Sequence, residues 1–241
     1  MVNGMSEEKS VKLGVLGGMG PEASVLFYSM VVRHTVASKD QDHIDMVIYN
    51  HATMPDRTSM IIEGNIDVLK GKLVADAKAL EAFGADCLFI TCNTTHVAAD
   101  EIQSEINIPL INMIREAARE CAALYARRPV KIAVLATDGT IGSRLYQDEL
   151  EKIGFKSYVP SVDNQDLVMK LIYSVKAGEA IDINDLAIIE TELREAGCDA
   201  AILGCTELSV LRDRFNLPEF YIDAMGVLVK RAILFAGKVY K

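Results

Sequence analysis

Two cysteines stand at equivalent places in the two halves of this 241-residue chain. Cys92 and Cys205 each follow a short apolar run, and they are 113 positions apart, as are Gly84 and Gly197. A repeat of this length predicts two similar lobes rather than a solenoid, because solenoid units are far shorter. Two thiols that meet at the seam of such lobes would face one substrate from opposite sides.

The elements that must position these thiols alternate regularly. Short apolar runs and helical patterns follow one another along the chain, which is typical of parallel strands with helices on both sheet faces. The predicted fold class is therefore α/β, with two pseudo-symmetric lobes, each a mainly parallel sheet flanked by helices, and an active site at their seam. We assign residues 1–115 and 221–241 to the first lobe and residues 116–220 to the second. Residues 115–128 are predicted to be helical, and the helical stretch 225–240 is expected to fold back onto the first lobe.

The predicted strands place both cysteines where ligand sites commonly form. They cover residues 13–16, 44–49, 87–91, 131–135, 156–159 and 200–203. In open parallel sheets, ligands bind beyond the carboxyl ends of the strands, next to the unpaired N–H groups of the following helix. Because the helix dipole is positive there, we expect the thiolate to be favoured over the thiol at Cys92 and Cys205.

Composition and charge exclude several classes of function. The net charge is -9, with no lysine or arginine cluster that would follow a nucleic-acid backbone or lie on an anionic membrane. No apolar run reaches the roughly 18 residues of a membrane span, and residues 1–12 are too polar for a signal peptide, so we expect a cytoplasmic protein. The five cysteines include no Cys-x-x-Cys pair, which indicates reduced thiols. Cys87, Cys121 and Cys198 are expected to be small packing residues.

Six short motifs are spread over nearly the whole chain. They are Leu16-Gly-Gly-Met-Gly-Pro21, Pro55-Asp-Arg-Thr58, Cys92-Asn-Thr-Thr-His96, Leu135-Ala-Thr-Asp-Gly-Thr140, Val175-Lys-Ala-Gly178 and Gly204-Cys-Thr-Glu207. In these motifs the chain resembles the cofactor-independent aspartate/glutamate racemase superfamily, and most closely its aspartate racemases. The resemblance implies an isomerase that needs neither pyridoxal phosphate nor a metal, acts on a small acidic amino acid and forms a homodimer. Glutamate racemases of the superfamily usually carry Asp-Ser where Gly17-Gly-Met19 stands here, which favours the aspartate or broad-specificity branch.

The resemblance also implies catalysis by Cys92 and Cys205, and the reaction explains why two thiols are needed. Racemisation removes the Cα proton from one face of the substrate and returns a proton to the other, which one base cannot easily do without moving. One cysteine as thiolate and the other as thiol would satisfy this geometry, with the roles reversed for the opposite enantiomer.

Three residues beside the thiols are expected to bind the α-carboxylate of the substrate, as the resemblance implies. Asn93, Thr94 and Thr206 follow the two cysteines, and their side chains and backbone N–H groups offer donors at the helix starts. Such donors would stabilise the negative charge that develops in the transition state. Helix capping is the alternative role for these polar residues, above all for Thr206.

The second carboxylate of a dicarboxylic amino acid needs a cation. Arg57 matches the residue to which the resemblance assigns this role, and its planar guanidinium suits a carboxylate. Lys176 lies in another matching motif, although the helix dipole also explains a lysine at a helix end. The glycines around Met19 would let the first loop approach the substrate closely, with the Met19 backbone available to bind it.

Two rival site types use some of the same residues. Gly18-x-Gly20-x-x-Ala23 fits a loose dinucleotide fingerprint, but the second predicted strand ends in Tyr49-Asn50-His51, without an acidic residue for a ribose hydroxyl. Cys92, His96 and Cys205 form a possible metal or redox-sensing set, but the sequence offers no clear fourth ligand.

Substrate alternatives within the superfamily stay open. They are a glutamate or broad-specificity racemase and, more distantly, a maleate isomerase or malonate decarboxylase. Retention of both thiols favours proton transfer by two bases over chemistry with one cysteine. A difference of one methylene is worth only about 1 to 3 kcal/mol in a pocket, so the sequence does not choose between aspartate and glutamate.

Overall fold

The computed structural model describes residues 10–125 and 130–241, and these residues form two four-stranded parallel sheets. The strands of the first sheet are β1 (Lys12–Gly17), β2 (Asp45–Asn50), β3 (Cys87–Ile90) and β4 (Leu110–Ile111). The strands of the second sheet are β5 (Lys131–Leu135), β6 (Lys156–Tyr158), β7 (Ala200–Leu203) and β8 (Tyr221–Asp223). The α-helices are α1 (Pro21–His34), α2 (Arg57–Ile62), α3 (Ile66–Ala82), α4 (Ala99–Glu105), α5 (Met113–Leu124), α6 (Asp138–Gly142), α7 (Leu145–Lys152), α8 (Val162–Ala177), α9 (Asn184–Glu195), α10 (Thr206–Phe215) and α11 (Ala224–Phe235). Short 3-10 helices cover Asp40–Asp42 and Thr94–Ala98.

Both sheets have the same strand order. The first runs β2-β1-β3-β4 and the second β6-β5-β7-β8, so that β3 and β7 occupy equivalent inner positions. Every residue of these two strands is buried, as expected for the apolar strands of a parallel sheet covered on both faces. The predicted α/β fold with two similar lobes is confirmed.

The outer strands β4 and β8 have no counterpart among the predicted strands. They contain only two and three residues, which is too few for a periodic pattern. β8 pairs with β7 in the second sheet, whereas the predicted lobe division places residues 221–223 in the first lobe. The following helix α11 packs against α1 of the first lobe and against α5.

Two helices have different bounds from those predicted. The helix predicted over 115–128 begins earlier, at Met113, because the Asn112 side chain caps it; residues 126–129 lie outside the described residues. The prediction that the last helix continues to residue 240 is wrong. α11 ends at Phe235, two residues before Gly237 adopts a φ of 70°, a left-handed conformation that ends helices.

One hydrophobic core extends through both lobes. It contains Phe27 and Phe89 of the first lobe together with Tyr146 and Ile202 of the second. A separate cluster in the first lobe lies under α3 and α4. Because the lobes share a core, the ends of β3 and β7 are held next to one another. Within the described parts of the chain, each helix is too short or too polar to cross a membrane.

Candidate active site

The inner strands of the two sheets bring both thiols to the seam between the lobes. Cys92 lies two residues beyond the end of β3, and Cys205 lies two residues beyond the end of β7 and caps α10. The two strand ends are linked directly, since the Thr206 hydroxyl donates to the carbonyl oxygen of Thr91 over 3.4 Å. Both cysteines are nearly covered, with 5 % of Cys92 and 6 % of Cys205 exposed.

Cys205 retains its proton in this environment. Its Sγ donates a hydrogen bond to Glu207 Oε2 over 2.9 Å. Burial raises the pKa of Cys205 well above its ordinary value, and the charge of Glu207 raises it further, while Lys176 lowers it only in part. The expectation that the helix start favours a thiolate is therefore wrong for Cys205, because burial and a neighbouring carboxylate outweigh the helix dipole.

Cys92 has different neighbours. The His96 Nδ1–H donates to the Cys92 carbonyl oxygen over 2.9 Å, and His96 Nε2 accepts from the backbone N–H of Met113 over 3.1 Å. Burial lowers the pKa of His96 to about 4, so the imidazole is neutral near pH 7. Both ring nitrogens are occupied by the backbone, and across the described residues no cluster of three or more potential metal ligands occurs. His96 therefore positions the Cys92 backbone.

Arg57 is the cation beside Cys92. It opens α2, is 7 % exposed, and donates to the backbone carbonyls of Pro55 over 3.0 Å and Met19 over 3.1 Å. Burial lowers the pKa of Arg57, but the opposing effects of Cys92, Asp56 and Glu207 outweigh it and raise the pKa above its ordinary value. Within the described chain, the buried Arg57 Nε has no hydrogen-bond partner. This guanidinium therefore retains a free donor at the site.

Lys176 approaches the site from the second lobe. It lies in the last turn of α8, with its Nζ 5.2 Å from the ring centroid of Tyr173. Burial lowers the pKa of Lys176, but the charges of Glu207, Cys205 and Cys92 raise it overall. The structure thus places a second cation within electrostatic range of both thiols.

A cleft of about 250 Å³ lies between the lobes next to these groups. Its lining combines loop residues of the first lobe with charged groups of both lobes: Gly18, Gly20, Pro21, Glu22, Ala23, Ala52, Met54, Asp56, Arg57, Val175, Lys176, Glu207 and Val210. Neither thiol belongs to the described lining. The lining includes Arg57 and Glu207, so a ligand in this cleft contacts the partners of both thiols.

The residues predicted to donate hydrogen bonds to the substrate carboxylate have different surroundings. Asn93 Oδ1 accepts a hydrogen bond of 2.5 Å from the Tyr146 hydroxyl, while its buried Nδ2 has no partner among the described residues. The Thr94 hydroxyl is hydrogen-bonded to those of Thr137 at 3.0 Å and Thr140 at 2.8 Å, so it ties the two lobes together. Asn93 therefore keeps a free donor, whereas Thr94 and Thr206 are engaged across the seam.

The first loop contributes Gly18 and Gly20 to the lining of the cleft. The Met19 carbonyl accepts from Arg57 and its side chain is buried, so this carbonyl positions the arginine. Gly18 has a φ of 90°, and a β-carbon there would lie 2.5 Å from the backbone of His51. The glycine is needed for close packing against the end of β2, which explains the loose dinucleotide fingerprint without a nucleotide.

Two residues of the site carry little sequence signal. Tyr146 is fully buried and reaches Asn93 from 53 positions away, but in the sequence it is one apolar position of a helix. In the sequence, Glu207 is a first-turn glutamate that favours a helix start or orients the neighbouring site, and in the structure it is the partner of Cys205. Its position two residues after a strand-end thiol is the one signal that indicates a role at the site.

Comparisons with known proteins identify the family of this chain. The family model for Asp/Glu/Hydantoin racemase matches residues 16–232. The chain belongs to the Asp/Glu/Hydantoin racemase family. It is 29 % identical over 228 residues to the broad specificity amino-acid racemase RacX of Bacillus subtilis, covering 92 % of this chain and 96 % of that protein.

A solved structure of a related racemase extends the comparison. The aspartate racemase of Picrophilus torridus superposes with a TM-score of 0.83 at 30 % identity, covering 96 % of each chain. A glutamate racemase of Koribacter versatilis is 32 % identical over 141 residues, which are 55 % of this chain and 45 % of that protein. The racemase family and the two-lobed fold of this chain are thus established. Racemases are isomerases, so the chain belongs to an isomerase family.

Proposed function

We propose that this protein interconverts L- and D-aspartate without a cofactor, by proton transfer between Cys92 and Cys205. The observation that carries the proposal is the placement of two buried thiols after equivalent strand ends, which a Thr206–Thr91 hydrogen bond links across the seam. Each thiol has a charged partner, and the two partners have opposite charge: Arg57 at Cys92 and Glu207 at Cys205. The full-length similarity to an aspartate racemase supports the same reaction.

The different environments of Cys92 and Cys205 suit a reaction in which one thiol starts as the base and the other as the acid. Cys205, whose pKa is raised, is the proton donor, and Cys92 is the acceptor in the first direction. The Cys92 thiolate takes the Cα proton and leaves the electron pair on the substrate, whose carboxylate shares the charge. Cys205 then delivers its proton to the opposite face and becomes the thiolate, so the reverse reaction starts from the product.

Two cations at the site support a substrate with two carboxylates. Arg57 retains a buried free donor in Nε, and Lys176 lines the same cleft from the second lobe. The free Nδ2 donor of Asn93 is suited to the carboxylate that accumulates charge in the transition state, where fixed donors contribute most. A dicarboxylic amino acid satisfies all three groups.

A broader substrate range is the second candidate. The observation that favours it is the similarity to the broad specificity racemase of Bacillus subtilis over nearly the whole of both chains. In that case Arg57 would accept uncharged side chains beside it, and alanine would be racemised as well as aspartate.

The test is to incubate the protein with L-aspartate, L-glutamate and L-alanine, without added cofactor, and to separate the enantiomers by chiral chromatography. We expect D-aspartate to form fastest, and Cys92→Ser and Cys205→Ser to lose at least about 1000-fold in kcat, since removing a positioned acid or base typically costs 100- to 10,000-fold. Cys198→Ser, which changes a cysteine far from the seam motifs, is the matched control and should retain activity. Wild-type turnover in either seam variant would remove the two-base mechanism.

A further inference from the structure

Gly139 makes an unusually close approach across the seam. It lies in α6 of the second lobe, and its neighbour Thr58 lies in α2 of the first. A β-carbon at Gly139 would lie 3.0 Å from both Cα and Oγ1 of Thr58 and 3.3 Å from its Cβ. Since packed atoms rarely come so close, any larger residue at this position would push α2 away from α6 by a few tenths of an ångström.

A displacement of α2 would carry Arg57 with it. Arg57 and Thr58 are adjacent at the start of this helix, which has only six residues. The Arg57 guanidinium interacts with Cys92, so its position sets the surroundings of that thiol. The Thr58 side chain also lies beside the phenol of Tyr173, where it opposes the rise in pKa that burial causes, and the Tyr173 ring lies under Lys176. Thr58 is therefore in contact with the elements that carry both cations.

The repeat contains a second contact of the same kind. Gly20 is the counterpart of Gly139 after the first strand of its lobe, and a β-carbon there would lie 3.1 Å from Glu207 Oε1. Across the seam, Gly20 thus faces Glu207, the partner of Cys205, and Gly139 faces Thr58, the neighbour of Arg57. At Gly20 the neighbour is the flexible end of a side chain, whereas at Gly139 it includes backbone, so the second contact is the stricter one.

We propose that Gly139 is a positioning residue, which lets α6 hold α2 so that Arg57 is placed against Cys92 and the substrate carboxylate. This inference rests on the proposed function, because it assigns Arg57 to substrate binding. Its consequence is a defect in substrate binding when Gly139 is enlarged, rather than a loss of the proton transfer itself.

The matched pair Gly139→Ala and Gly142→Ala tests this inference within one helix. At Gly142 no atom of the described residues beyond its own helix and chain neighbours lies within 4 Å of an added β-carbon. We expect Gly139→Ala to raise KM for aspartate about tenfold while kcat changes less than about threefold, since misplacing a binding group by a full ångström can cost about 100-fold. Gly142→Ala should match the wild type. A fall in kcat at unchanged KM, or equal kinetics in the two variants, would overturn the inference.

A second measurement does not depend on racemase activity. Iodoacetamide alkylation of Cys92, followed by peptide mass spectrometry, should be faster in Gly139→Ala than in Gly142→Ala, with Cys205 as the reference in the same sample. Tyr173→Phe removes the Tyr173 hydroxyl beside Thr58 and keeps the ring under Lys176. It should change KM and Cys92 alkylation in the same direction as Gly139→Ala, but by a smaller amount. If the wild type racemises no acidic amino acid, the proposed function fails while the alkylation still tests the placement of Arg57. Equal Cys92 alkylation in all variants would contradict that placement.

Discussion

The two thiols occupy equivalent positions in a duplicated scaffold, but their surroundings have opposite charge. Two residues beyond Cys205 stands Glu207, which accepts a hydrogen bond from the thiol. Two residues beyond Cys92 stands Thr94, whose hydroxyl is instead hydrogen-bonded to threonines of the other lobe. The cation Arg57 interacts with Cys92 from a separate helix.

This difference teaches that backbone symmetry and chemical symmetry are separate properties of the site. The repeated strands place two sulfur atoms at one seam, which a reaction on two faces of one carbon requires. The side chains then distinguish them, because a buried thiol next to a carboxylate retains its proton. An enzyme with one thiol already protonated has an acid ready before the substrate arrives.

Removal of the Arg57 charge is the strongest way to break the Cys92 side. Arg57→Gln should lower kcat/KM for aspartate about 100-fold or more, since truncating one partner of a buried charged pair costs 2–5 kcal/mol. The ratio of activity on aspartate to activity on alanine should fall as well, because alanine has no second carboxylate. Arg57→Lys should be intermediate, since it keeps the charge but not the planar fork. Arg33→Gln, at an exposed arginine of α1, is the control; an unchanged substrate ratio in Arg57→Gln would show that Arg57 is part of the scaffold.

Replacement of Glu207 tests the Cys205 side. Glu207→Gln removes the negative charge that adds to the effect of burial, so the pKa of Cys205 should fall and its alkylation by iodoacetamide should begin at lower pH. Glu207→Thr, which gives the second lobe the residue found two positions after Cys92, should shift the profile in the same direction. Cys198 in the same samples serves as the internal reference. If the pH dependence of Cys205 alkylation is the same in these variants as in the wild type, Glu207 does not keep the Cys205 thiol protonated.

His96 gives a smaller effect, on stability rather than on turnover. The pKa of His96 is about 4 in the folded protein and about 6.5 in the unfolded chain, so the unfolded state binds more protons between these values. Stability is therefore fully present above pH 6.5 and falls as the pH decreases towards 4, by up to about 3 kcal/mol. Urea unfolding at pH 7.5 and pH 5 should show a steeper loss in the wild type than in His96→Gln. His43→Gln is the control, and equal slopes in wild type and His96→Gln would contradict a neutral, buried His96.

The sequence predicts the placement of the thiols better than their chemistry. Cys92 and Cys205 are recognisable because the repeat offset and the strand ends are local patterns, and the α/β fold follows from the same periodicity. The protonation of Cys205 is not predictable in this way. It depends on burial by the other lobe and on where the Glu207 carboxylate points, and neither is encoded in a local pattern.

Contacts between distant residues account for the other differences. Tyr146 reaches Asn93, and Gly139 approaches Thr58, only after the two lobes have packed together. The Met19 carbonyl likewise accepts a hydrogen bond from an arginine 38 positions away. Residue type and spacing thus indicate which groups belong to the site, whereas partners across the seam decide what each group does.

The most direct test of the two-thiol account is the distribution of deuterium early in the reaction. L-aspartate is incubated with the wild-type protein in deuterated water, the reaction is stopped before appreciable conversion, and the Cα position of each enantiomer is examined by proton NMR and mass spectrometry. The account predicts deuterium at Cα in the D-aspartate formed, while the remaining L-aspartate keeps its original hydrogen, because different sulfur atoms serve the two faces. Deuterium that accumulates in L-aspartate without formation of D-aspartate would show a single working base and contradict the account.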